Sequence, residues 1–336
     1  MKHTIIIAEA GVNHNGSPEM ARRMIREAAA AGADYVKFQT FRAERLVSAS
    51  AKKADYQRRN CGGDDDSQLA MLKALELSDA DFAMLAAECR DVGIGFMSTP
   101  FDMESIDSLS SIGMDYWKIP SGEITNLPYL RKIASKGGKA ILSTGMSTMA
   151  EVEAAVAVLE QGGIPRGNII VLHCTTQYPA PLTSVNLLAM NTLRALGCAG
   201  VGYSDHTDGI TVAVAAAAMG AVVVEKHFTL DRSLPGPDHK ASLTPPQLKE
   251  MVDAIRAVDA AMGKADKAVT DVERPNITVA RKSIVAAREI QAGEMFTEDN
   301  LTCKRPGTGL SPMKWDEIIG KRSPRAYAVD EQIEIP

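Results

Sequence analysis

The chain has 336 residues, 45% hydrophobic and 24% charged, with a formal net charge of -5. This balance suits one large apolar core plus a small appendage, and it excludes an electrostatic case for a nucleic-acid partner. No apolar run is long enough to cross a bilayer, and the N-terminus enters a strand without a leader pattern, which predicts a cytoplasmic protein with no membrane partner.

Eight short apolar runs follow one another, and almost every one ends on a residue able to do chemistry. The first, at 5–9, opens with Ile5-Ile6-Ile7 and ends on Glu9; a helical pattern at 18–31 follows. The second, at 35–39, holds Lys37 and Gln39 and leads into a long insertion at 41–77, where Asp64-Asp65-Asp66 reads as a solvated loop. A helix at 80–92 precedes the third run, 95–99, which ends on Thr99. The fourth, 116–120, carries Lys118 and delivers Ser121 and Glu123; the fifth, 140–144, carries Ser143 ahead of a helix at 147–160. The sixth, 169–173, is followed by Cys174. The seventh, 201–205, presents Ser204 and Asp205 before His206, and the eighth, 222–227, contains Glu225 and ends on His227. A final helix spans 245–262.

Strand and helix alternation implies parallel strands, which are buried on both faces and therefore continuously apolar. Eight such units in roughly 250 residues predict a (β/α)8 TIM barrel, with its chemistry at the C-terminal strand ends. A doubly wound sheet is the structural alternative, but the glycine spacing in Gly11-Val12-Asn13-His14-Asn15-Gly16 is wrong for a dinucleotide turn. The barrel is expected over 1–265 and a linker over 266–280. A small domain of short strands and turns is expected over 281–336, too short for further βα units. The long rim insertion is expected to be functional.

His206 and His227 would be neighbours on one rim. They read either as a divalent-metal pair with open positions or as caps on strand ends, with Asp205 orienting His206 from behind in the first case. Lys37 and Lys118, with Ser121, Ser143 and Ser204, form a natural anion cradle; the bland reading pairs each lysine with Glu9 or Glu123. Glu9 and Glu123 are candidates for acid-base work or for simple ion pairs. Asp238 lies in the rigid loop Pro235-Gly236-Pro237-Asp238-His239, and His239 reads as a surface side chain. Five cysteines (Cys61, Cys89, Cys174, Cys198, Cys303) without CxxC spacing suit reduced thiols, and Cys174 reads as an inert buried one.

Ten blocks in order resemble the sialic acid synthases. They include Ile7-Ala8-Glu9-Ala10-Gly11-Val12-Asn13-His14-Asn15-Gly16, Trp117-Lys118-Ile119-Pro120-Ser121-Gly122-Glu123, His173-Cys174-Thr175-Thr176-Gln177-Tyr178-Pro179, Tyr203-Ser204-Asp205-His206-Thr207, Glu225-Lys226-His227-Phe228-Thr229 and Lys304-Arg305-Pro306-Gly307. The resemblance implies an N-terminal barrel, a C-terminal antifreeze-like domain of β-clip type and a domain-swapped homodimer. It implies condensation of phosphoenolpyruvate with an open-chain N-acylated amino sugar to a nine-carbon 2-keto acid and phosphate. His206 and His227 would bind a divalent metal, manganese first, with magnesium or cobalt as substitutes. Lys37, Thr99, Lys118, Ser121, Ser143, Ser204 and Glu225 would hold phosphoenolpyruvate, and Gln39, Glu123, Tyr178, Asp238 and Arg305 the sugar. Glu9, Glu123 and Glu225 are the catalytic carboxylates on this reading. The loop Thr175-Thr176-Gln177 is closer to members making N,N'-diacetyllegionaminate than to those making N-acetylneuraminate. A barrel metal hydrolase and a non-catalytic sugar-phosphate binder are the competing classes.

Overall fold

The computed structural model describes residues 3–61 and 66–335, apart from the side chains of Tyr56, Arg59 and Cys61. Asp64 and Asp65 of the acidic cluster, and the Cys61 thiol, thus lie outside the described residues. The chain divides into two compact units, Met1–Gly263 and Lys264–Pro336.

In the first unit the eight expected strands are all present: β1 (Ile5–Gly11), β2 (Tyr35–Thr40), β3 (Gly95–Pro100), β4 (Trp117–Ile119), β5 (Ala140–Ser143), β6 (Ile169–Cys174), β7 (Gly200–Asp205) and β8 (Val223–His227). Every ladder between them is parallel, in the order β3-β2-β1-β8-β7-β6-β5-β4, and β3 lies beside β4 to complete the ring. The helices are α1 (Pro18–Ala31), α2 (Ala43–Leu46), α3 (Asp55–Cys61), α4 (Gln68–Leu75), α5 (Asp79–Val92), α6 (Met103–Ile112), α7 (Leu127–Lys136), α8 (Met149–Gln161), α9 (Ala189–Leu193), α10 (Thr211–Ala218) and α11 (Pro245–Ala261). Local chemistry sets their starts. Ser17 accepts from Met20 N ahead of Pro18, and reciprocal capping boxes join Ser78 to Asp81 and Thr148 to Glu151.

Strand periodicity separates two cores. Ile6, Ala8, Val36 and Phe38 face outward onto buried helix residues such as Met24, Ile25 and Leu85. Ile7, Met97, Ile141, Leu172 and Val223 point inward and fill the barrel floor. Gly202 makes room in that floor: a Cβ there would lie 2.4 Å from Val223 O and 2.6 Å from the Leu172 side chain. Two residues further along the inward face of β1, β2 and β8 come Glu9, Lys37 and Glu225, so the same period that packs the floor lifts charge onto it.

The insertion carries α2, α3 and α4 and packs Leu72 and Leu75 on Val12, Phe41 and Ala43. Gly16 permits this approach, with φ of 75° and a would-be Cβ only 2.4 Å from Ala74 O.

The second unit contains α12 (Arg274–Ala280), an antiparallel pair β9 (Ser283–Ala286) and β10 (Leu301–Lys304), and α13 (Trp315–Ile318). Its core joins Ile284, Ile290, Phe296, Leu301, Ile318, Tyr327 and Ile333. Part of the expected linker is therefore helical, because 274–280 carries Pro275 in its first turn and sustains i to i−4 bonding up to Arg281.

Candidate active site

A cavity of about 510 Å³ opens at the C-terminal strand ends of the barrel. Glu9, Lys37, Gln39, Thr99, Lys118, Ser121, Glu123, Ser143, Tyr178, Ser204, His206, Glu225, His227 and Asp238 all line it. Every site residue expected from the barrel sequence is thus brought to one place. Arg305 belongs to the second unit, where its Nε donates to Ala280 O at 3.0 Å.

The deepest layer is a chain of buried charges. Lys37 Nζ lies 2.5 Å from Glu9 Oε2 and 3.8 Å from Glu225 Oε2, and it donates to Thr99 Oγ1 at 3.0 Å. Lys118 Nζ donates to Ser143 Oγ at 2.9 Å and has Glu225 Oε1 at 3.5 Å. Ser204 Oγ donates to that same oxygen at 3.0 Å, and Gln39 Nε2 donates to Glu9 Oε1 at 3.1 Å. The carboxylate facing Lys118 is therefore Glu225, because Glu123 turns to accept from Asn126 Nδ2 at 2.6 Å.

These groups divide in electrostatics. Burial pushes Glu225 up, but Lys118, Lys37 and His227 outweigh it and hold the carboxyl at about 2. Burial dominates at Glu9 and raises it despite Lys37. Burial would lower Lys37, but Glu225 and Glu9 raise it above its ordinary value; Lys118, with fewer close anions, is left lowered by burial. Asp238 is buried beside Glu9 and is pushed up to about 7, burial being the larger cause.

Above this layer sit the imidazoles, with His206 and His227 centroids 5.6 Å apart. The Tyr178 ring lies over His206 at 4.2 Å and edge-on to His227 at 5.6 Å. Burial lowers His206 to about 4 and His227 well below its ordinary value, so both are neutral at pH 7. His206 Nδ1 donates to Thr175 O at 2.7 Å, leaving Nε2 as a lone-pair donor; His227 Nδ1 is buried with no hydrogen-bond partner. Two neutral imidazoles, one oriented by a carbonyl and one with an orphaned nitrogen, fit a divalent cation. Among the described residues no group of three or more His, Cys, Asp and Glu is arranged to hold a metal.

Two expectations are corrected. Asp205 does not touch the His206 ring: its Oδ1 accepts from Thr207 N and Oγ1, and its Oδ2 accepts from Lys226 Nζ at 2.9 Å. Asp205 points outward on β7, away from the inward Ser204, so it pins the backbone behind His206 instead. His239 is fully buried, bonded to Thr229 Oγ1 at 2.7 Å and Asn15 Oδ1 at 3.0 Å, because the loop after β8 folds back over the loop after β1. Cys174 is buried 3.2 Å from Ser121 Oγ, and burial raises its thiol, which suits the inert reading.

Sequence reasoning missed a supporting layer. Asn13 Nδ2 bridges Phe228 O and Ser242 Oγ, each at 2.9 Å, and His14 Nδ1 accepts from Gly16 N at 3.1 Å. Asn60 Nδ2 donates to Pro237 O at 2.7 Å, tying the insertion to the loop that presents Asp238. The run of polar residues directly after β1 was the available signal.

The fold and site define a (β/α)8 barrel enzyme class with a buried cation pair under two rim histidines. A NeuB family model matches residues 24–267 and a SAF domain model residues 281–333. The chain belongs to the NeuB family, the sialic acid synthases that its motifs resemble. It is 51% identical to the N,N'-diacetyllegionaminic acid synthase of Campylobacter jejuni over 333 residues, 99% of each chain. It is 46% identical to the protein of that name from Legionella pneumophila over 319 residues, 94% of this chain and 89% of the other. Among solved structures, the N-acetylneuraminic acid synthetase of Leptospira borgpetersenii in complex with citrate matches with a TM-score of 0.70 at 33% identity, covering 82% of this chain and 90% of that one. No helix among the described residues is long and apolar enough to cross a membrane.

Proposed function

We propose that this protein is a nonulosonic acid synthase that condenses phosphoenolpyruvate with an open-chain N-acylated amino sugar and water, releasing phosphate. The preferred sugar is 2,4-diacetamido-2,4,6-trideoxymannose, and the product N,N'-diacetyllegionaminate. The observation that carries the reading is the buried row Glu9, Lys37, Glu225 and Lys118 beneath His206 and His227 in one cavity. The two relatives of highest identity reported above support the choice of sugar.

Lys118, the less neutralised cation, and Lys37 would hold the carboxylate and phosphate of phosphoenolpyruvate, with hydroxyls of Thr99, Ser121, Ser143 and Ser204 as donors. Glu225 stays ionised and fixes both ammonium groups. Glu9, with a raised pKa, is suited to deliver a proton to the aldehyde oxygen as the enol C3 bonds to the aldehyde carbon. Water then adds at C2, and the C2–O bond to phosphate breaks. Glu123, at the cavity edge, is the second candidate for proton transfer. Gln39, Tyr178 and Asp238 line the side left for the sugar. A divalent ion on His206 and His227, manganese first, would polarise the aldehyde carbonyl. Subunit exchange in a homodimer, and a role for Arg305 in reading the acyl group, belong to the same proposal and rest on the motif resemblance.

The test is phosphate release from phosphoenolpyruvate and manganese with either this sugar or N-acetylmannosamine, with and without EDTA. Release that requires a sugar and is abolished by EDTA is expected. Release with neither sugar overturns the reading.

A further inference from the structure

The cavity has two chemically different ends. Its floor is charged, whereas the wall contributed by the insertion consists of Leu46, Gln57, Gln68, Met71, Leu72 and Leu75 together with Phe41 and Val47. None of these carries a charge. Among the described residues of this wall two amides stand beside apolar side chains, and their mutual geometry is informative. Gln57 Oε1 accepts from Ala54 N at 2.8 Å and from Gln68 Nε2 at 3.5 Å. The backbone donor fixes which way the Gln57 amide faces. Its oxygen is thus turned to the protein, leaving its NH2 group as donor, and Gln68 keeps its carbonyl oxygen as acceptor. Both side chains are half-buried.

We infer that Gln57 and Gln68 recognise a second acylamino group on the sugar, and that Met71, Leu72 and Leu75 face its terminal methyl. The inference deepens the synthase reading above and rests on it. A secondary amide carries one N–H and one C=O, and the glutamine pair offers one group of each complementary kind. A hydroxyl can also donate and accept, but only through one oxygen, and it brings no methyl to the apolar wall, while a hydroxymethyl against that wall loses its bonds to water. Among the described residues that line this wall, a phosphorylated sugar finds no cation. The wall is held in place by the close approach of Gly16 to Ala74 and by the bond from Asn60 to Pro237, so the pair is presented in a fixed position.

The experiment compares the wild-type chain with the near-isosteric Gln57→Met and Gln68→Met variants, using phosphoenolpyruvate, manganese and each of the two sugars. For 2,4-diacetamido-2,4,6-trideoxymannose, KM is expected to rise about tenfold or more with kcat within about threefold. For N-acetylmannosamine, which has no amide at C4, both constants change less than about threefold. Equal effects on the two sugars, or none on either, overturn the assignment. So does a wild-type preference for N-acetylmannosamine. Phosphoenolpyruvate binding by calorimetry stays unchanged in both variants; its loss would make the glutamines structural and also overturn the assignment. A wild-type protein that condenses the diacetamido sugar while both variants match it sinks only this inference, whereas release with neither sugar removes the synthase reading as well.

Discussion

His206 Nδ1 lies 2.7 Å from the carbonyl oxygen of Thr175, and that bond decides which nitrogen of the ring is free. The β6 loop thereby sets the tautomer of a side chain presented after β7. His227→Ala and His206→Ala should each lower manganese affinity by more than the roughly 10–100-fold typical of losing an outer partner. Calorimetric titration with manganese alone measures this without turnover. Unchanged affinity in both variants would show that the imidazoles cap strand ends.

The two lysines should separate in their effects. Lys37→Met leaves Glu9 and Glu225 facing each other in the core, and breaking such a pair costs about 3–5 kcal/mol. Lys118→Met removes a cation that has Glu225 Oε1 at 3.5 Å but no carboxylate as close as the 2.5 Å between Lys37 and Glu9, so its main consequence is a raised phosphoenolpyruvate KM. Urea unfolding alongside steady-state kinetics distinguishes them; equal destabilisation by both would contradict the arrangement.

Asp238 makes the stability depend on pH. Its folded-state value of about 7 lies above the ordinary 3.8, so its contribution is fully present below about 3.8 and is lost as pH rises through 7. Asp238→Asn should therefore unfold at higher urea than the parent at pH 8, by up to roughly 4 kcal/mol at full burial, and the gap should narrow at pH 5. The same variant is expected to bind the sugar less well. A gap that widens at low pH would refute the burial of this carboxyl.

Lys226 and Asp205 form a wholly buried pair behind the rim, with Lys226 Nζ also donating to Thr207 O at 2.5 Å. Asp205→Ala strands the ammonium and should cost about 3–5 kcal/mol, whereas the double variant Asp205→Leu with Lys226→Met should recover much of the loss. Denaturant midpoints of the three proteins test the coupling.

Much of this molecule was legible in its primary structure. Continuous apolar runs at βα spacing announce a parallel barrel, since only strands covered on both faces read that way. The period of two within β1, β2 and β8 also places Glu9, Lys37 and Glu225 on the inward face, as it does Ile7, Tyr35 and Val223 two residues before them. The rim position of His206 and His227 follows from their standing at strand ends.

What the chain order leaves open is pairing. Whether Lys118 meets Glu123 or Glu225, whether Asp205 turns toward His206 or toward Lys226, and whether His239 faces water or Asn15 depend on closing the ring and folding loops from distant strands over it. Each choice is settled by competition among several partners brought within a few ångströms. Local sequence determines which face a residue takes on its own element, and only the tertiary structure decides what stands opposite. The pairing of Gln57 with Gln68 has the same origin: they stand eleven residues apart on separate helices of the insertion, α3 and α4, and meet because that insertion packs down on the rim.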